Sequence, residues 1–262
     1  QGTRLIRIAR RVWEKVLATL LPKQLKDFSS PGKWHEKRKM DHENLFSDVL
    51  VAMSGDAESW IALEQAIIIA ELENADVRGL VVVEDREKIH INQDFVAQAF
   101  NNRLSQSGIR GNLAYARGEI AETVCDRAQY NDLIVLKLNY PPSPKLFTRL
   151  RSGMRLILRR STRPILVVRD QVSTLNSLLL AYDGSPKGKE ALFVSAYLAS
   201  RYDKHLSVLV VDDDEERGQK LLAEAKDYLG DFCLKSIFRK RTGATSSAIL
   251  GFAEKESADM IL

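Results

Sequence analysis

The stretch DVLVAMSGD (residues 48–56) returns as SLLLAYDGS (177–185), and what surrounds it returns too. RGLVVVED is followed later by LSVLVVDD, and ARGEIAETVCDRAQYNDLIV by RTGATSSAILGFAEKESADMIL. Gly55 and Gly184 are 129 apart, Gly118 and Gly243 are 125 apart, and Asp132 and Asp259 are 127 apart. Near-constant offsets over a unit this long mean internal duplication, so the chain must build one architecture twice. The unit alternates short Val/Leu/Ile runs with segments of helical period. Continuous apolar strands separated by helices predict a parallel sheet covered on both faces.

In the first copy the expected order is strand DVLVAM, helix ESWIALEQAIIIAELE, strand VRGLVVV and helix NQDFVAQAFNNRLSQSG. Strand GNLAYARG, helix IAETVCDRAQY, strand DLIVLKL, helix KLFTRLRSGMRLILRRS and strand RPILVV complete it. Residues 46–170 then form a first α/β subdomain and 171–262 a second. The second is expected to be truncated, because it stops inside the counterpart of DLIVL. The fold class is α/β: two tandem parallel-sheet, Rossmann-type subdomains with helices on both faces.

Residues 1–45 read differently. TRLIRIARRVWEKVLATLLPK sets Leu5, Ala9, Val12, Trp13, Val16 and Leu20 at helical spacing opposite its cations, and Pro22 stops it. It is too charged to span a bilayer and lacks the uncharged core of a signal peptide. Two readings stand: a helix that packs on the body or a second copy, or one whose cations face anionic headgroups. SSPGKWHEKRKMDHE follows as a polar linker.

The net charge of +4 hides an asymmetry. Residues 1–40 hold eleven Lys and Arg against three carboxylates, a net +8, which leaves the rest at −4. The body therefore has no basic stripe for nucleic acid, and no nucleic-acid partner is expected.

Other chemistry is sparse. Cys125 and Cys233 lie far apart in apolar or helical patterns, as reduced, buried thiols of a cytosolic setting do, with no metal-ligand spacing. His35, His42, His90 and His205 are scattered, and no nucleophile elbow accompanies them. Asp212, Asp213, Asp214, Glu215 and Glu216 follow a strand; a metal site could use them, but the first turn of a helix favours such residues through its dipole. No catalytic, cofactor-binding or metal-binding residue is assigned, and no enzyme activity or cofactor is expected.

The strand ending in AYDGS, the helix opening at KGKEAL and the Gly-containing turn leading to ADMIL resemble the universal stress protein family across roughly residues 46–262. The ATP-binding branch of that family carries Gly-x-x-Gly after the fourth strand, then Gly followed by Ser or Thr. Such glycines let backbone N–H groups reach phosphate oxygens. Here Lys137, Leu138, Asn139 and Tyr140 stand at the first pair, and Arg151-Ser152 at the second. Pro141, Pro142 and Pro144 have no N–H to offer. Ser54 takes the place of the acidic residue near adenine. Lys137, Lys145, Arg149 and Arg151 could still meet a phosphate, though cations near a helix start are common on surfaces.

The second copy keeps Asp183-Gly184-Ser185, a stretch that also suits an ordinary turn. A basic lead followed by two such halves with degraded glycine motifs is similar to the cytoplasmic C-terminal domain of cation-chloride cotransporters. That resemblance implies a non-catalytic regulatory and dimerisation domain of an integral membrane protein, on its cytoplasmic side. Its partners would be a second copy, the transmembrane domain of the same polypeptide, and an anionic membrane surface near residues 1–40. A tandem stress protein that binds ATP or a related nucleotide is the alternative.

Overall fold

A computed structural model describes residues 44–53, 59–83, 93–138, 153–232 and 236–262. They form two compact units, one running through Asn176 and one from Ser177 to Leu262. The basic lead and polar linker lie outside the described residues.

The first unit contains β1 (Asp48–Met53), α1 (Trp60–Glu73), β2 (Asp76–Val83), α2 (Gln93–Gln106) and β3 (Gly111–Arg117). It continues with α3 (Ile120–Ala128), β4 (Leu133–Lys137), α4 (Gly153–Arg160) and β5 (Ile165–Val168). All strands pair in parallel, in the order β3-β2-β1-β4-β5. Alternate residues of each strand face opposite layers. Leu50, Ala52, Leu80, Val82, Ile134 and Leu136 meet Ala121, Val124 and Ala128 of α3 and Ile157 of α4. On the other face α2 lies so close to β2 that a Cβ on Gly79 would sit 2.6 Å from the Phe100 ring. Val49, Val51, Val77 and Val81 are fully buried.

The second unit contains β6 (Ser177–Ala181), α5 (Pro186–Tyr202), β7 (His205–Val211), α6 (Glu215–Gly230), β8 (Ser236–Arg241), α7 (Thr245–Lys255) and β9 (Met260–Ile261). Its strands are also parallel, in the order β8-β7-β6-β9. The fold is thus two parallel sheets flanked by helices, as the apolar runs imply.

The duplication extends to small devices. α1 ends on Asn74 at φ 51° and α5 on Asp203 at φ 52°. Each is a left-handed cap whose N–H donates to the carbonyl four residues back, Ala70 or Ala199. Asp132 accepts from the backbone N–H of Ser47 and Asp48, and Asp259 from that of Ser177, so each carboxylate secures the start of its unit's first strand. In the first unit the buried Gln65 amide donates to the Ser173 carbonyl at 3.1 Å and accepts from the Ser173 N–H at 2.6 Å. That pairing ties the end of the unit to α1.

Candidate functional site

In a sheet of this winding, ligands bind beyond the carboxyl ends of the strands, where the chain reverses its direction of travel. That switch lies between β1 and β4 in the first unit and between β6 and β9 in the second. In the first unit Lys137 ends β4 in register with Val168, and Leu138 donates its N–H to the Val168 carbonyl at 2.7 Å. Ser54, Asn139, Tyr140, Pro141, Pro142, Pro144, Lys145, Arg149, Arg151 and Ser152 lie outside the described residues.

The crevice of the second unit is described. After β6, Tyr182 turns toward the α6 layer, 2% exposed, and its hydroxyl donates to Glu224 at 3.0 Å. Lys189 reaches the same carboxylate at 2.9 Å. Burial pushes the Tyr182 phenol far above its ordinary range, and the Glu224 contact adds to that. The strand's alternation places Tyr182 on this face; its partner 42 residues away is invisible to local pattern.

Asp183 then folds back on its own turn. Its carboxylate accepts from the Ser185 N–H at 2.9 Å, while Gly184 takes φ 73°. Ser185 caps α5, its hydroxyl oxygen accepting from the Gly188 N–H at 3.0 Å. A Cβ on Gly188 would lie 2.5 Å from the Asp183 carboxylate. The Ser185 hydroxyl, above all, holds the Asp183 carboxyl below its usual range. Asp183-Gly184-Ser185 is thus a strand-to-helix turn whose carboxylate is engaged within the turn.

Asp212, Asp213, Asp214 and Glu215 of the acidic run are engaged as well, the first and third within the turn and the other two with the β8–α7 side. Asp214 caps α6 by accepting from the Arg217 N–H at 2.9 Å. Asp212 accepts from the Asp214 N–H and from the Arg217 guanidinium, which holds its carboxyl below the ordinary value. Asp213 accepts from the Gly243 N–H at 2.8 Å, and Glu215 pairs with Lys240 at 2.7 Å. No group of three potential metal ligands occurs among the described residues.

A surface cleft of about 370 Å³ opens where α3 meets α4, lined by Glu122, Cys125, Asp126, Gln129, Arg160 and Thr162. Cys125 is half-buried, less enclosed than its helical pattern implies. Burial raises its thiol pKa, against which Arg160 acts more weakly. A thiol held protonated in this way is a poor nucleophile. Cys233, His35, His42 and His90 lie outside the described residues, and His205 stands exposed at the start of β7.

With this geometry in hand, solved structures supply the comparison. A universal stress protein from Archaeoglobus fulgidus DSM 4304 superposes with a TM-score of 0.67 at 16% identity, over 83% of this chain and 84% of its own. The fold is that of the universal stress proteins. A functionally unknown protein from Pseudomonas aeruginosa PAO1 shares it, with a TM-score of 0.59 at 16% identity over 82% of this chain and 80% of its own. No family model and no curated protein matches the sequence. Identity this low establishes the stress-protein architecture, and the ligand chemistry rests on the residues themselves. No helix among the described residues is long and apolar enough to cross a membrane.

Proposed function

We propose that the chain is a non-catalytic regulatory and dimerisation domain of a membrane ion transporter of the cation-chloride cotransporter type, lying on the cytoplasmic side. The observation that carries this reading is the state of the described crevice. Asp183, the acidic residue of the adenine-side loop, uses its carboxylate within its own turn. The sequence of the first unit supports the same conclusion. Lys137-Leu138-Asn139-Tyr140 has no glycine to bring backbone N–H groups against phosphate, and the prolines after it have no N–H.

With the phosphate-binding glycines replaced in the first unit, both α/β lobes still serve as scaffold. Their role here is mechanical. A second copy pairs with the domain, as symmetric modules commonly do. The basic lead, opposite anionic headgroups, couples that pair to the transmembrane domain of the same polypeptide. Light scattering across concentration tests the pairing. A dimer is expected, and a monomer at every accessible concentration would overturn it.

A second reading, a tandem stress protein binding ATP or a related nucleotide, is favoured by the fold and by Asp183-Gly184-Ser185 at the second crevice. Calorimetry with ATP and magnesium separates the two. No heat of binding is expected; saturable micromolar binding would put the second reading first.

A further inference from the structure

β5 ends at Val168 and β6 begins at Ser177, so residues 169–176 join the two units. The later part of this connection is held against α1. Gln65 is 1% exposed, on the helix that also buries Ala62, Ala66 and Ile69. A buried amide is costly unless its polar atoms are bonded, and this one directs both at a single residue. Its nitrogen donates to the Ser173 carbonyl and its oxygen accepts from the Ser173 N–H, as the backbone of a neighbouring strand would. The Ser173 hydroxyl oxygen in turn accepts from the Leu175 N–H at 2.9 Å. Leu175 is 1% exposed, yet it takes φ 56°. Asn74, Asp203 and Ser257 are the other non-glycine residues with positive φ among the described residues, and Leu175 alone of them is apolar. For a residue with a Cβ, that backbone is disfavoured by roughly tenfold.

We infer that residues 172–176 form a strap that opens from α1 and closes on it while both units stay folded. Two forces oppose each other there. The Gln65 clasp and the buried Leu175 side chain hold the strap shut, because opening removes the amide's partners and the leucine's apolar contacts. The left-handed backbone at Leu175 pushes the other way, since the released chain returns to negative φ. The segment has no helix or strand of its own to hold it, so it opens locally at a lower free energy than the strands on either side. Closed, the strap fixes the chain to α1 as far as the residue before β6. Open, residues 169–176 become slack. The device therefore sets how firmly the first unit holds the connection to the second, and it stands apart from either functional reading.

Hydrogen exchange in the whole chain tests the strap. The Ser173 and Leu175 N–H groups are expected to exchange at least about a hundredfold faster than those of β1 and β6, at a rate that dilute urea leaves unchanged. Gln65→Leu keeps the volume and removes both clasp bonds; it speeds exchange at Leu175 about tenfold and leaves β1 and β6 as they were. A second pair of variants leaves α1 untouched. Leu175→Gly and Leu175→Ala both lose the buried side chain, but only glycine takes φ 56° without strain. The glycine chain should therefore protect the Ser173 N–H roughly fivefold to tenfold better than the alanine chain, the reverse of the order at an ordinary φ. Exchange at Ser173 and Leu175 as slow as that of β1, a Gln65→Leu chain with unchanged exchange at Leu175, or better protection by alanine than by glycine would each overturn the inference.

Discussion

Asp132 shows how one carboxylate can register a whole unit. Its side chain accepts from the Ser47 and Asp48 N–H groups at 3.0 and 3.1 Å, and its own N–H donates to the Asp48 carbonyl at 2.8 Å. Hydrogen bonds to a charged acceptor contribute about 1.5–3 kcal/mol each, less where water competes. Asp132→Ala is therefore expected to cost roughly 1–3 kcal/mol, read from the urea midpoint at unchanged slope. Tyr182 gives a test in pH. Burial raises its pKa, and so does its bond to Glu224, while burial lifts Tyr228 to about 12. The unfolded chain loses these phenolic protons near pH 10 and the folded chain only higher. The stability they supply is thus complete below pH 10 and declines as pH climbs through 12. Urea titrations between pH 9 and 12 should show that decline, and Tyr182→Phe should make it shallower.

Among the elements, α4 depends on a narrow contact. Of its eight residues only Ile157 is buried, in the cluster formed with Leu136, Ile134 and Val124. Ile157→Ala should cost about 2–5 kcal/mol and leave a cavity against β4. Chemical denaturation measures the loss, and a change under about 1 kcal/mol would mean the site collapses. β8 is an element that escapes a hydropathy reading. SIFRKR carries three cations in six residues, yet it pairs with β7 from Leu206 to Val211. An edge strand shows the solvent its alternate residues, so its apolar count falls while its backbone pairing persists.

For the whole molecule, charge supplies the prediction. Eleven cations in residues 1–40 stand against a remainder of −4. Each Lys or Arg near an anionic surface contributes about 1 kcal/mol, and salt screens it. The chain should co-sediment with phosphatidylserine vesicles at low ionic strength and release as salt rises. Deleting residues 1–40 should abolish that binding, and retention after deletion would place the contact on the body.

The duplication, the parallel strands and the helical layers were legible in the sequence because they rest on short-range regularities: apolar runs for buried strands, a 3.6-residue period for helices, and glycines at fixed offsets. Asp132 and Asp259 marked the repeat as well, although only their contacts explain why an aspartate stands there. What tertiary structure alone decided were the pairings across long separations. Tyr182 met Glu224, Gln65 gripped Ser173, and Asp213 reached Gly243. Pattern along a chain reports which face a residue takes, whereas a partner 30 to 108 residues away is chosen by how the layers pack.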